Sequence, residues 1–144
     1  MKAFESFLAC AAVVAAVATL APRVHAHHAF AAEFDAAQPI TLRGTVTRVE
    51  WINPHTWIHI NVKDADGKST AWMIEGGTPN TLLRRGVDKN SIPAGTEIIV
   101  DGYRAKNGSN RANGRDLTLP NGKKLFVGSS GTGAPTDGKD PSEK

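Results

Sequence analysis

Between Ile40 and Val127 apolar residues recur mostly at every second position, and that spacing commits the chain to a β fold with little helix. Ile40, Leu42, Gly44 and Val46 alternate with Thr41, Arg43, Thr45 and Thr47, the pattern of a strand with one buried face. The phase then slips, placing Val49 and Trp51 on the apolar side. Such a slip marks a bulge, as a strand bending around a barrel requires. Asn53-Pro54 is a turn signal. In the next strand Ile58, Ile60 and Val62 share one face while Trp57, His59 and Asn61 share the other.

Asp64-Ala65-Asp66-Gly67 reads as a hairpin turn into a third strand, Thr70 to Glu75, closed by Gly76-Gly77. One helix follows. Thr78 is its N-cap, Pro79 fits its first position, and Gly86 ends it. The fourth strand is Glu97 to Arg104. The last pairing joins Asp116–Leu119 to Lys124–Val127 through Asn121-Gly122, a strong hairpin signal. The order strand, strand, strand, helix, strand, strand is that of an OB-like barrel, so the expected fold is mainly β, with five to six strands and one short helix between strands three and four.

The first 26 residues stand apart from that domain. Lys2 supplies a positive start, Phe7 to Ala21 is an unbroken apolar run, and Val24-His25-Ala26 is a small-x-Ala cleavage site. The run is shorter than the roughly 18 residues of a membrane-spanning helix. Residues 1–26 are therefore expected to be a signal peptide, and the mature chain to begin near His27 in the periplasm or outside the cell. Its only cysteine, Cys10, leaves with the leader, which excludes thiolate catalysis and thiolate metal sites. The expected divisions are a lead-in over 27–39, a barrel domain over 40–128, and a Gly-, Ser- and charge-rich disordered tail over 129–144. The formal net charge of the 144 residues is only +3, a weak bias that does not suggest the concentrated basic surface usual in nucleic-acid binding, so no nucleic-acid partner is expected.

The histidines beyond the leader fall in two clusters, His27-His28 and His55 with His59. A histidine at a chain start can chelate a metal through both its α-amine and its ring. A third nitrogen then completes a brace, and such nitrogen sets favour Cu(II). His27, His28 and His55 are the candidate copper ligands, with Glu33 or Glu50 as an oxygen ligand or outer partner. Cleavage one residue earlier would leave Ala26 first and form an amine–amide–histidine copper site instead. His55 and His59 lie about 13 Å apart along an extended strand, too far to share one ion.

A second candidate is the basic segment Arg104 to Arg115, RAKNGSNRANGR, read as the loop between strands four and five. Arg104, Arg111 and Arg115, with Trp57 and His59 on the barrel face, are the candidate ligand-binding residues for an anionic sugar, a phosphate or an envelope component. Trp51, Trp57, Trp72 and Tyr103 are either a stacking platform or, more commonly for such positions, core and rim packing. No P-loop, HExxH, GxSxG or nucleophile–base pattern is present beyond the leader, so binding rather than catalysis is expected.

The segments HHAFAAEFD (27–35), GTVTRVEWINPHTWIHINVKDADGK (44–68), TPNTLLRRG (78–86) and GYRAKNGSNRANGRDLTLPNGKKLF (102–126) resemble a group of short exported bacterial proteins known only as a domain of unknown function. The HH-x-F start and the E-W-x-N-P-H element are the most specific parts of the likeness. It implies export and a single small domain, and it brings no activity or ligand.

Overall fold

The computed structural model describes residues 28–128; the expected leader, His27 and the expected tail lie outside them. The elements are α1 (His28–Glu33), β1 (Phe34–Glu50), β2 (Trp57–Lys63), β3 (Ser69–Glu75), α2 (Pro79–Arg84), β4 (Glu97–Ala105), β5 (Arg111–Thr118) and β6 (Lys124–Phe126). The mainly β expectation holds, with the short α2 between strands three and four. Strand pairings run β3-β2-β1-β4-β5, and a parallel pairing of β3 with β5 closes these five into a ring. One edge of β5 is shared: Arg111, Ala112 and Asn113 pair with β3, and Asp116 to Thr118 with β6.

The periodicity explains the core. Val46, Ile58, Ile60, Ile74, Ile98, Val100, Ala112 and Leu117 all turn inward, joined from α2 and beyond it by Leu82, Val87 and Ile92. Each fully buried Ile or Leu removes enough apolar surface to contribute about 1.5–3 kcal/mol. The slip foreseen after Val46 is present: the β1–β2 register shifts between Val46 and Arg48. Helix α2 also starts as its sequence dictates. The Thr78 hydroxyl accepts from the Thr81 amide at 3.2 Å, and Pro79 occupies the first turn. Gly86, just past the Arg85 cap, takes φ +76°, a conformation that disfavours side chains.

Two boundaries differ from the sequence expectation. The first strand begins at Phe34 rather than Ile40, so within the expected lead-in residues 28–33 are a helix that runs straight into β1 and residues 34–39 already belong to that strand. Phe34 is held by a second small core with Phe30, Tyr103 and Ala105. Residues 35–38, mostly exposed and without alternation, are absorbed by a register shift between Phe34 and Pro39. The fifth strand begins at Arg111 rather than Asp116, which leaves only residues 106–110 as the connection after β4. Ring closure is the reason. Ala112 is fully buried against the core, and Gly114 has an Ile74 methyl where a side chain would go. Small residues that read as loop are what this crowded crossing accepts.

Candidate functional site

The register of the closed ring sets two rows of side chains across the outer face of four strands. Arg48, His59, Met73 and Arg111 are partners in succession on β1, β2, β3 and β5, and Glu50, Trp57, Glu75 and Asn113 form the adjacent row. Their neighbours Ile58, Ile74 and Ala112 point into the core, which fixes these residues outward. One row is largely basic and the other carries the acids, so charges meet diagonally.

At one side Glu50 meets two groups. Arg48 reaches it at 2.6 Å and His59 Nε2 at 3.1 Å. His59 Nε2 also lies 3.4 Å from the Arg48 guanidinium, so Arg48, Glu50 and His59 form one polar cluster.

At the other side lies His55, from the loop that enters β2. Its Nδ1 is 3.3 Å from the Gly76 carbonyl and 3.5 Å from Glu75 Oε1. Both neighbours are acceptors when Glu75 is ionised, so the proton sits on Nδ1 and the lone pair of the neutral ring sits on Nε2. Glu75 is 7% exposed and also receives the Asn113 side-chain amide at 3.4 Å. Arg111 bonds Glu33 at 3.0 Å, at the end of α1, and lays its guanidinium 4.9 Å from the centre of the Trp57 ring. Its Nε is buried and without a hydrogen-bond partner among the described residues.

Four residues singled out in the sequence, Glu33, His55, Trp57 and Arg111, are therefore brought together. Two further members, Glu75 and Asn113, carry no sequence signal beyond their places on strands. The other basic residues disperse. Arg104 stacks on Trp72 at 5.4 Å, and Arg115 pairs with Asp116 at 3.0 Å. Trp72 belongs to the main core and Tyr103 to the small one, so neither joins an outer stacking platform with Trp57. His28 begins α1, and six residues of helix put its backbone about 7.5 Å of axial rise from Glu33.

The model of the DUF6152 family, described as a family of unknown function, matches residues 13–114. The chain belongs to that family. No curated protein and no solved structure matches it. In this DUF6152 chain the matched span includes every member of the His55–Glu75–Arg111 cluster and stops within β5, before the β6 hairpin.

Burial raises the Glu75 carboxyl above the ordinary range of its kind, and this is the largest influence on it. His55 opposes the shift, Glu33 adds to it, and Arg111 and the Asn113 hydrogen bond oppose it. The folded protein therefore binds this proton more tightly than the unfolded chain. Its contribution to stability is full below the unfolded value of 4.5 and is lost as pH rises through the folded one. Glu75→Gln removes the titration and keeps an acceptor for Asn113. The melting temperature of the variant should exceed that of wild type above pH 7, with the gap closing near pH 4. A gap that is constant with pH would show that burial does not hold this proton.

Proposed function

We propose that the mature chain is an exported, periplasmic binding protein that takes copper at His27, with His28 and His55 as the other nitrogen donors. The observation that carries this reading is the orientation of His55. Its Nδ1 is engaged by Gly76 and Glu75, which leaves Nε2 as the nitrogen able to bind metal, the arrangement in which a ligating histidine is steadied by an outer carboxylate or carbonyl. Among the described residues no three histidines, cysteines or carboxylates gather to hold an ion unaided. The remaining donors must come from the chain start, and α1 ends at Glu33 beside this cluster. In this reading Glu75, beside His55 Nδ1, is the outer partner in place of the expected Glu33 or Glu50. A bound Cu(II) would draw on the neutral ring nitrogens and the amine, so binding should weaken as they protonate.

Mass spectrometry of the exported protein fixes its first residue, and Cu(II) titration then measures affinity. His27→Ala and His55→Ala should each weaken binding at least tenfold. Unchanged micromolar affinity in both variants overturns the copper reading. A second reading then applies: an envelope glycan or protein held on the same face without metal. What favours it is a groove of about 680 Å³ that includes Arg48, His59, Met73, Ser109, Asn110 and Arg111 in its walls.

A further inference from the structure

On another part of the surface a groove of about 400 Å³ runs between the end of α2 and β6. Arg84, Arg85, Gly86 and Val87 form one wall and Lys123 to Phe126 the other. Four of its eight lining residues are cationic and none is acidic. Elsewhere on the described surface Arg43 meets Glu97, Arg48 meets Glu50, Arg111 meets Glu33 and Arg115 meets Asp116, while Lys63, Lys68 and Lys89 are exposed without an ion pair but do not line this groove. Arg84, Lys123 and Lys124 are exposed and have no acidic partner among the described residues. Arg85 is engaged inside the groove, 4.5 Å over the Phe126 ring and bonded to the Gly128 carbonyl. It stiffens the floor and is not counted among the available charges.

An apolar side chain accompanies these cations. Leu83 is 52% exposed, one of two large apolar residues left so open among the described residues, and it is the neighbour of Arg84 on α2. Phe126 and Val87 supply apolar surface beneath. Unpaired cations with an exposed leucine next to one of them in the chain match the interface of an anionic bilayer, where the charges meet headgroup phosphates and the leucine enters the headgroup–acyl boundary. A purely acidic polypeptide would satisfy the charges and leave Leu83 in water. No helix among the described residues is long and apolar enough to cross a membrane.

We propose that the Arg84–Lys123–Lys124 face, with Leu83, docks the protein on anionic phospholipid. The docking uses none of the histidines, so it stands or falls apart from copper binding. Each cation near an anionic surface is worth roughly fivefold in partitioning, and three give on the order of a hundredfold.

The test is flotation of the mature full-length protein with vesicles of phosphatidylglycerol and phosphatidylcholine, against phosphatidylcholine alone. Wild type should float with the anionic vesicles only, and less so in high salt. Arg84→Glu with Lys123→Glu should lower partitioning at least tenfold, and Leu83→Ser should lower it severalfold. A control reversal, Lys63→Glu with Lys68→Glu, changes net charge equally on the β2–β3 hairpin and should leave partitioning near wild type. All four residues are exposed, so an unchanged circular dichroism spectrum confirms that each variant folds. The proposal is overturned if wild type ignores lipid charge, if both reversals lose equally, or if Leu83→Ser changes nothing. It is equally overturned if the protein binds polyglutamate better than vesicles.

Discussion

Gly102→Ala is expected to destabilise the protein by about 3 kcal/mol or more, the largest effect of an added methyl among the described glycines. A Cβ at this position would lie 2.1 Å from the Asn113 carbonyl oxygen, 3.0 Å from its carbon and 3.1 Å from the Gly114 Cα. All three atoms are backbone of the neighbouring strand, so no side-chain rotation relieves the clash. Gly102 pairs with Gly114 at the point where the β4–β5 register shifts, after Asp101. Glycine in a strand often marks such a close backbone approach. Moving β5 away would also strain its pairing with β3, which closes the ring. For a domain of this size the loss corresponds to a fall of roughly 12–24 °C in melting temperature. Gly67→Asn is the contrasting case: Gly67 has φ +80° and nothing within 4 Å of an added Cβ. Asparagine tolerates that conformation, and the variant should melt within a few degrees of wild type. A Gly102→Ala protein that melted with it would show that the two strands are not held at this spacing.

The same crossing explains which parts of the fold the sequence makes legible. Alternation works where one face of a strand is buried and the other wet, so Ile58 and Ile60, Ile98 and Val100, and the slip after Val46 are all readable. Thr78-Pro79 and Asn121-Gly122 are readable because caps and tight turns are local chemistry. Arg111-Ala-Asn-Gly-Arg115 is not. Asparagine and glycine are poor strand formers, and they are strand here because the ring must close where Ile74 and Gly102 leave no room for larger residues. That misreading also obscured the site. Taken as a loop, Arg111 appears as one of several mobile cations. As the first residue of β5 it is fixed beside Met73, within reach of Glu33 and Trp57. Glu75 was hidden for a related reason. Its isolation at a strand end says nothing of His55, which joins it only through the backbone pairing of Thr56 with Gly76 and Gly77.

Phe30→Ala should loosen α1 from the ring of strands without unfolding the ring, and, if the proposed copper site is formed, should cost copper affinity on the order of a hundredfold. Phe30 is 3% exposed and packs edge-on to Tyr103 at 5.5 Å and beside Phe34 at 5.8 Å. This small core is distinct from the main one and is the apolar attachment of α1. Truncating a buried phenylalanine costs about 3–5 kcal/mol. The other ties are weaker: the Glu33–Arg111 pair is half-exposed and such pairs contribute at most about 1 kcal/mol, and Lys106 adds bonds to the Ala31 and Glu33 carbonyls, each worth about 1 kcal/mol or less. The loss therefore falls on α1 as a local opening. Amide exchange should quicken at His28–Glu33 while Ile58, Ile60 and Ile74 stay protected. On the proposed copper reading, His27 of a chain freed from this anchor would meet His55 only by diffusion of a tethered segment, and the advantage of proximity would disappear. Phe30→Leu keeps most of the buried area and should retain most of the affinity. If Phe30→Ala opens α1 in the exchange measurement and still binds copper as wild type does, then the helix does not bring the chain start to His55. A metal held by His27 and His28 alone would give that result, and His55→Ala would then be silent as well.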